Sequence, residues 1–254
     1  MSVRLQEITP LTLEEWHQFA SGFRKRNSFH HAGWIRALQE TYHFPLRIFG
    51  VKDEETGKLV TALPFMRVIT LRGKRKCVCL PFTDHFPVLG DAVAAAEMVK
   101  ALHTSGELKG VIEVRTELPS DDAFQSSTNQ VIHAIDLGVG EEALFDQVAK
   151  NHRKAIRQAE RRGVGVEFDT SVEGMKAFYD LQLKTRRAKG LPTQPWKFFH
   201  AIQKHLMKDE QNGHVILAKN KFVVIGGKVV LHWGDVMTGK FSASDYAFLS
   251  FRPN

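Results

Sequence analysis

The sequence predicts an α+β protein in which one structural unit is used twice. Segments with apolar residues at helical spacing alternate with short runs rich in β-branched and aromatic residues. The order strand, helix, helix, three strands, polar loop occurs in the first half and again in the second. The two loops, PFTDHFPVLG and SASDYAFLSFRPN, hold matching places in that order. Such a pattern gives mainly antiparallel, mixed sheets flanked by helices. The expected division is residues 1–138 and 139–254.

The elements follow from local signals. Val3 to Ile8 reads as a strand. Thr12 and Glu15 form a capping box for a helix of about twelve residues. A second helix is expected from Phe29 to Tyr42, with Trp34, Ile35, Leu38 and Tyr42 on its apolar side. Strands are expected at Leu46–Val51, Leu59–Thr70 and Lys76–Leu80, with a polar turn at 53–57. Asp91 caps a helix from Ala92 to about Thr104. Gly110–Thr116 and Asn129–Leu137 read as strands. In the second half, a basic helix spans Glu141 to Arg162 and stops at Gly163. Val164–Phe168 is a strand. Thr170 with Glu173 makes another capping box, for a helix that Gly190-Leu191-Pro192 ends. Pro195 opens a further helix to about Met207. His214–Lys219, Phe222–Trp233 and Val236–Ala243 complete the strands, with a bulge expected at Gly226-Gly227. In the first half a helix and a strand follow the polar loop. In the second half Arg252-Pro253-Asn254 follows it. The second copy is therefore expected to be incomplete, missing its last helix and strands, with an open sheet edge and uncovered apolar surface.

Composition narrows the class. Of 254 residues 43% are hydrophobic and 25% charged, which suits a globular protein with a substantial core. The formal net charge of +7 fits an anionic ligand without requiring nucleic acid. No run of 18 apolar residues is present, and the N-terminus has no apolar signal region. The two cysteines, Cys77 and Cys79, share one strand face and read as reduced and buried. The twelve histidines show no metal-ligand spacing. These features suit the cytoplasm and leave room for a peripheral membrane contact.

The most informative stretch is KNHRKAIRQAERR, Lys150 to Arg162, with six cations and one acid. Lys150, Lys154, Arg157 and Arg161 follow i, i+4, i+7, i+11 spacing and fall on one helix face. Leu144, Val148, Ala155, Ile156 and Ala159 lie opposite and are expected to pack on a core. Like charges one turn apart weaken a helix. A helix that carries them is a candidate anion-binding element; the alternative is a solvated face whose last cations suit the helix dipole.

NHRKAIRQAERRGV, FYDLQLKTRRAKGLPTQPWKFF, SASDYAFLSFRPN and, in the first half, LPFTDHFPVL resemble the FemAB-like branch of the GNAT acyltransferase superfamily. That group is also described as GNAT-family or BioF2-like acetyltransferases. The resemblance covers nearly the whole chain, with four motifs in order. It implies tandem GNAT-like subdomains and transfer of an acyl or aminoacyl group to an amine, with acyl-CoA or aminoacyl-tRNA as co-substrate and no metal. Better-known relatives take amino acids from aminoacyl-tRNA to build peptidoglycan cross-bridges. Others belong with cell-envelope or exopolysaccharide pathways, so the implied partners are tRNA and an anionic or envelope-precursor acceptor. In complete members the RPN segment leads into a further helix and a closing strand. A second departure is the acetyl-CoA motif, R/Q-x-x-G-x-G/A. The nearest string, Arg161-Arg162-Gly163-Val164-Gly165, has different spacing and sits where the helix dipole repels anions.

Amide formation needs a neutral amine, a positioned donor, oxyanion stabilisation and exclusion of water. Asp84 and His85 in the first loop are candidates for the catalytic base, with Phe82 and Phe86 as a desolvating wall. Asp245 in the second loop is the other. Either aspartate could instead cap backbone N–H groups in its turn. A bulge at Gly226 and Gly227 would free backbone N–H groups for an oxyanion; the alternative is a structural kink. Lys150, Arg153, Lys154, Arg157 and Arg186 are the candidate phosphate-binding residues. Two other functions fit the same residues: a non-catalytic module binding RNA or a phosphorylated envelope precursor, and an inactive fragment.

Overall fold

The computed structural model describes residues 6–70, 72–119, 121–126, 131–208 and 211–253. The chain packs as two compact units. Unit 1 takes in residues up to 123, 194–213 and 231–238. Unit 2 takes in 124–193, 214–230 and 239 onward. The α+β class holds, with mixed and antiparallel sheets flanked by helices.

Unit 1 is built on a five-stranded sheet in the order β1 (Gln6–Leu11), β2 (Leu46–Asp53), β3 (Leu59–Ile69), β4 (Arg75–Val78), β5 (Val111–Glu113). The first four strands pair antiparallel, and β5 joins β4 in parallel. A parallel neighbour needs a crossover. The first polar loop and helix α3 (Ala92–Thr104) supply it, and Asp91 caps α3 as expected by accepting from Val93 and Ala94 N–H. The strand expected from Val3 runs from Gln6 to Leu11; Val3–Leu5 lie outside the described residues.

Helix α1 (Leu13–Ser21) carries the expected capping box: Glu15 N–H donates to Thr12 Oγ1, and Thr12 N–H to Glu15 Oε2 at 2.7 Å. Helix α2 (Ala32–Tyr42) begins three residues later than expected. Residues 27–31 are held in turns by side chains: Phe29 N–H donates to Asn27 Oδ1, and Gly33 N–H to the N-cap His31. Helix α7 (Trp196–Ile202) continues as a π-helix, Gln203–Lys208. It approaches α2 so closely that a Cβ on Gly33 would stand 2.3 Å from the His205 carbonyl oxygen. Trp16, Phe29, Trp34, Phe65, Phe86 and Phe198 form the fully buried centre.

In unit 2 the expected basic helix is two helices, α4 (Glu141–Gln147) and α5 (Lys150–Arg161), with Val148 and Ala149 extended between them. Arg153 stabilises the break. Its guanidinium donates to the Asp146 and Phe145 carbonyls at the end of α4. The apolar side of α5 does not enter a core. None of its residues is buried, and Ile156 is 41% exposed. Residues 131–136 form no strand, and Leu137–Val139 is a short 3-10 turn; Asn129 and Gln130 of the expected strand lie outside the described residues.

Strands β6 (Val164–Asp169), β7 (Gly213–Asn220), β8 (Val223–Trp233) and β9 (Val236–Ser244) form the second sheet in that order. β6 is an edge, and its Val166 and Phe168 are 63% and 67% exposed. β8 runs without interruption through Gly226-Gly227. Helix α6 (Val172–Ala188) is capped by Ser171 and not by Thr170. The Asp169 carboxylate accepts the Ser171 N–H, and the turn this makes moves the cap one residue onward. α6 buries Met175, Phe178 and Leu181, and in unit 2 Val215, Leu217, Ile225 and Val229 are buried on the strands.

Two buried histidines of unit 1 set its acid response. Burial pushes His30 and His31 down to about 4, and the nearby His17 and Arg36 also disfavour charge on His31. In the unfolded chain both titrate near 6.5. Between these values the unfolded state binds protons that the folded state refuses, so stability is full above pH 6.5 and falls toward pH 4. The expected Tm therefore drops through that window, before the carboxylates are neutralised. A His30→Phe variant, with Tm followed from pH 7 to pH 4, should show a shallower slope despite a lower Tm at pH 7.

Candidate functional site

In unit 1 the loop between β4 and α3 is clamped through alternate carbonyls. Thr83 O accepts from Arg115, His85 O from Asn27 Nδ2 at 3.2 Å, and Pro87 O from His30 Nε2 at 2.9 Å. His30 Nδ1 accepts the Asn27 N–H, so the proton on its ring is at Nε2. Arg115 is itself held by Glu113, and Trp34 donates to the Thr83 hydroxyl. Leu80 and Phe82 take left-handed φ values of 56° and 59°. That conformation is costly for bulky residues and persists only where surroundings over-determine it.

Asp84 stands exposed between two tethered residues. The expected aromatic wall does not enclose it, because Phe86 is fully buried against Trp16 and His30. His85 is half-buried, and burial lowers its pKa against the opposing influence of Glu117. The loop thus presents a carboxylate on a fixed backbone.

In unit 2 the break before α5 gives the basic stretch its own helix N-terminus. Ala149 provides no side-chain cap, and no acid lies in the first turn. The positive end of the dipole therefore coincides with Lys150, Arg153 and Lys154. Lys150 and Lys154 are exposed and make no hydrogen bond or ion pair among the described residues. Arg153 and Arg157 fold back on α4, Arg157 lying 5.8 Å from the Phe145 ring centre. Arg186 is employed elsewhere: its Nε donates to Pro192 O at 3.0 Å and closes the turn after α6.

Three motif segments meet at one end of unit 2. Asp245 caps the 3-10 helix Tyr246–Phe251 through the Ala247 N–H. Its carboxylate pairs with Lys184 at 2.8 Å, and that hydrogen bond, then Ala247, holds its pKa below the usual range. An ion-paired carboxylate is a weak proton acceptor and better suited to placing charge. One residue earlier, the Thr185 hydroxyl donates to Ser244 O at 3.0 Å and accepts its N–H at 3.2 Å. The following segment returns to the basic helix: Arg162 donates to Ser250 O, and Arg252 lies 3.4 Å from Gln158 Oε1. Pro253 then lies over Gly226, where a Cβ would stand 2.8 Å from the Pro253 oxygen. Gly226 is thus required by close approach.

Sequence reasoning missed Gln158, Arg162, Lys184 and Thr185 here, and Asn27, His30 and Arg115 in unit 1. The one usable signal was spacing: Gln158 and Arg162 lie one helical turn apart. Among the described residues no group of three or more histidine, cysteine or acidic side chains is arranged to hold a metal, and no helix is long and apolar enough to cross a membrane.

Residues 146–254 match the acetyltransferase (GNAT) domain family. The crystal structure of FemX is similar to the chain over 98% of its length and 83% of the FemX chain, with a TM-score of 0.69 and 14% sequence identity. No curated protein matches the sequence. Residues 146–254 are thus similar to GNAT domains, and the chain shares the fold of FemX, as the motifs implied. The GNAT match supports an acyltransferase.

The pyrophosphate of an acyl-CoA needs backbone N–H groups aimed at it, and two turns could be its place: that at Gly163 and the first turn of α6. The Gly163 turn follows the C-terminus of α5, and Asn220 takes the Arg162 carbonyl at 2.8 Å. The first turn of α6 is filled by the Ser171 hydroxyl and the Asp169 carboxylate. Neither end fits that group.

The Thr185 latch is testable. Thr185→Val removes both hydrogen bonds and leaves the buried Ser244 N–H and carbonyl without that partner. A loss of about 1–3 kcal/mol in urea unfolding is expected, with Thr185→Ser retaining most of the stability.

Proposed function

We propose that the chain is an N-acyltransferase that moves an acyl or aminoacyl group from an activated donor to an amine. The carrying observation is the cation-rich N-terminus of α5 within the GNAT domain, where Ala149 offers no side-chain cap and Asn151 takes only the His152 N–H; this favours a phosphate-bearing ligand. Lys150 and Lys154 make the first contacts, Arg153 and Arg157 add charge, and Arg186 contributes only at long range. Exposed side-chain cations suit the extended phosphate backbone of an aminoacyl-tRNA better than the compact pyrophosphate of acyl-CoA. The acceptor is an amine of an anionic or envelope-precursor molecule in the cytoplasm. Residues 1–138 and 139–254 serve as two GNAT-like subdomains in this reading.

Asp84, on its clamped loop, orients the acceptor ammonium, with His85 beside it to take a proton. Asp245 places negative charge at the GNAT-domain end, while Gly226 and Gly227, on an uninterrupted β8, serve close packing against Pro253 and Phe178. Positioning carries most of the rate in such a scheme.

Thermal unfolding with acetyl-CoA and with aminoacyl-tRNA identifies the donor, since a ligand of the native state raises Tm. Aminoacyl-tRNA is expected to raise it and acetyl-CoA to leave it unchanged. The double variant Lys150→Ala/Lys154→Ala should weaken tRNA binding about tenfold and reduce the slope of log K against log salt by roughly 1.5. An unchanged slope removes α5 from the site. Asp84→Asn is expected to lower kcat/KM for transfer at least about tenfold while Tm stays within about 1 °C, because the carboxylate is exposed. Tight, salt-sensitive binding without transfer to any amine would instead establish the non-catalytic RNA-binding module, which the same cationic helix supports.

A further inference from the structure

The turn between β3 and β4 concentrates positive charge at one end of the first sheet. The stretch Arg67 to Cys79, RVITLRGKRKCVC, holds five cations and no acid. Lys76 pairs with Glu113 at 3.5 Å. Arg67, Arg72, Lys74 and Arg75 are exposed, and their side chains make no hydrogen bond or ion pair among the described residues. Lys109 is exposed in the same way and lies close by. Its carbonyl accepts from Cys77 Sγ at 3.6 Å, and a Cβ on the next residue, Gly110, would stand 2.7 Å from the Arg75 oxygen.

Backbone hydrogen bonds hold the cations in place. Thr70 N–H donates to Lys74 O at 2.9 Å, Gly73 N–H to Thr70 O at 2.8 Å, and Lys74 N–H to the Thr70 hydroxyl at 3.1 Å. Gly73 supplies the left-handed φ of 73°. Leu71 lies outside the described residues. Like charges on a fixed turn repel, and an anionic surface would relieve that repulsion.

Apolar side chains stand among these cations. Ile69 is opposite Arg75 in the antiparallel register, and Val111 is beside Lys76 in the parallel one. Directly paired residues share a sheet face, so Ile69 and Val111 lie on opposite faces of the same sheet end. They are 65% and 60% exposed. Cations and apolar groups together match the boundary of a bilayer, where headgroup phosphates meet the first and acyl chains the second. A nucleic acid would use the cations alone. Single strands add stacking on aromatic rings, and Arg67 to Lys76 contains none.

We propose that the β3–β4 turn docks unit 1 end-on onto an anionic lipid bilayer. Arg72, Lys74 and Arg75 meet the headgroups, and Ile69 and Val111 reach the acyl boundary. This assignment stands apart from the acyl-transfer reading: it needs no donor, and the turn belongs to unit 1 whereas the α5 cations belong to unit 2.

The probe is flotation of the full chain with vesicles of phosphatidylcholine, alone or with about 30% phosphatidylglycerol. The chain should float with the anionic vesicles and not with the neutral ones, and about 0.5 M NaCl should release it. The variant Arg72→Ala/Lys74→Ala/Arg75→Ala should partition about a hundredfold more weakly. Ile69→Ser, which leaves the charge intact, should partition about fivefold more weakly. Lys150→Ala/Lys154→Ala should stay within about twofold of wild type. No flotation with anionic vesicles overturns the proposal, as does flotation lost in the α5 variant and kept in the turn variant. So does an Ile69→Ser variant that partitions as wild type does, the result of a purely electrostatic surface such as one for RNA. Should the triple variant not fold, Ile69→Ser and the wild-type comparison of the two vesicles decide.

Discussion

The face of α6 that meets the second sheet is the constraint on which unit 2 depends. Phe178 packs tightly at Gly227, where a Cβ would stand 3.1 Å from its ring, and the Thr185 hydroxyl supplies both a donor and an acceptor to Ser244. Ser244 is the last residue of β9, and Asp245 begins the 3-10 helix immediately after it. Fixing Ser244 therefore fixes where the terminal motif starts. Lys184, adjacent to Thr185, then pairs with Asp245, and the 3-10 helix directs Ser250, Arg252 and Pro253 back to α5 and Gly226. Segments separated by some 90 residues are coordinated through one helix face.

Unit 1 solves a similar problem without a helix. Its loop of left-handed residues is held by polar side chains that are themselves buried, with His30 accepting one backbone N–H and donating to Pro87 O. That use requires a neutral imidazole, which burial ensures. The cost of keeping it neutral is a native state vulnerable to acid, and the gain is a loop whose exposed aspartate moves little. Rigid support from the core under an exposed polar group is the usual arrangement for a binding position.

Much of the architecture was legible in the sequence because its signals are local. The Thr12–Glu15 capping box, the Asp91 cap, the glycine at the end of the basic helix and nearly every strand depend on residues within a few positions. Failures came where distant or competing groups decide. The break at Val148-Ala149 depends on Arg153 reaching back to two carbonyls, and periodicity carries no record of such a reach. The displacement of the α6 cap from Thr170 to Ser171 depends on Asp169 taking a backbone N–H first. The strand expected at 129–137 has the right alternation in VIHAIDL, but strand pattern alone does not supply a neighbour to pair with. The candidate site was half legible: Asp84, Asp245 and the cations announced themselves by type. Thr185 and Asn27 did not, since their importance lies in which buried groups they meet.

The broken basic helix changes the electrostatic argument more than any other difference. A continuous helix from Glu141 to Arg162 would place Lys150 and Lys154 in mid-helix, where dipoles cancel and only mutual repulsion remains. It would also put Glu141 and Glu142 at its only positive end. With the chain extended at 148–149, the acids stay at the start of α4, where they suit that dipole. The cations gain a separate positive end, where Ala149 offers no side-chain cap and Asn151 Oδ1 takes only the His152 N–H. Repulsion among the cations then adds to the field of the helix end. This arrangement is poor for the stability of α5, which buries nothing to compensate. An incoming phosphate would relieve both deficits at once, by neutralising the charge and accepting from the Lys150 and Asn151 N–H groups. A merely solvated face has no reason to concentrate like charge at the positive end of a dipole, so the position of the break favours an anionic ligand over the solvated alternative.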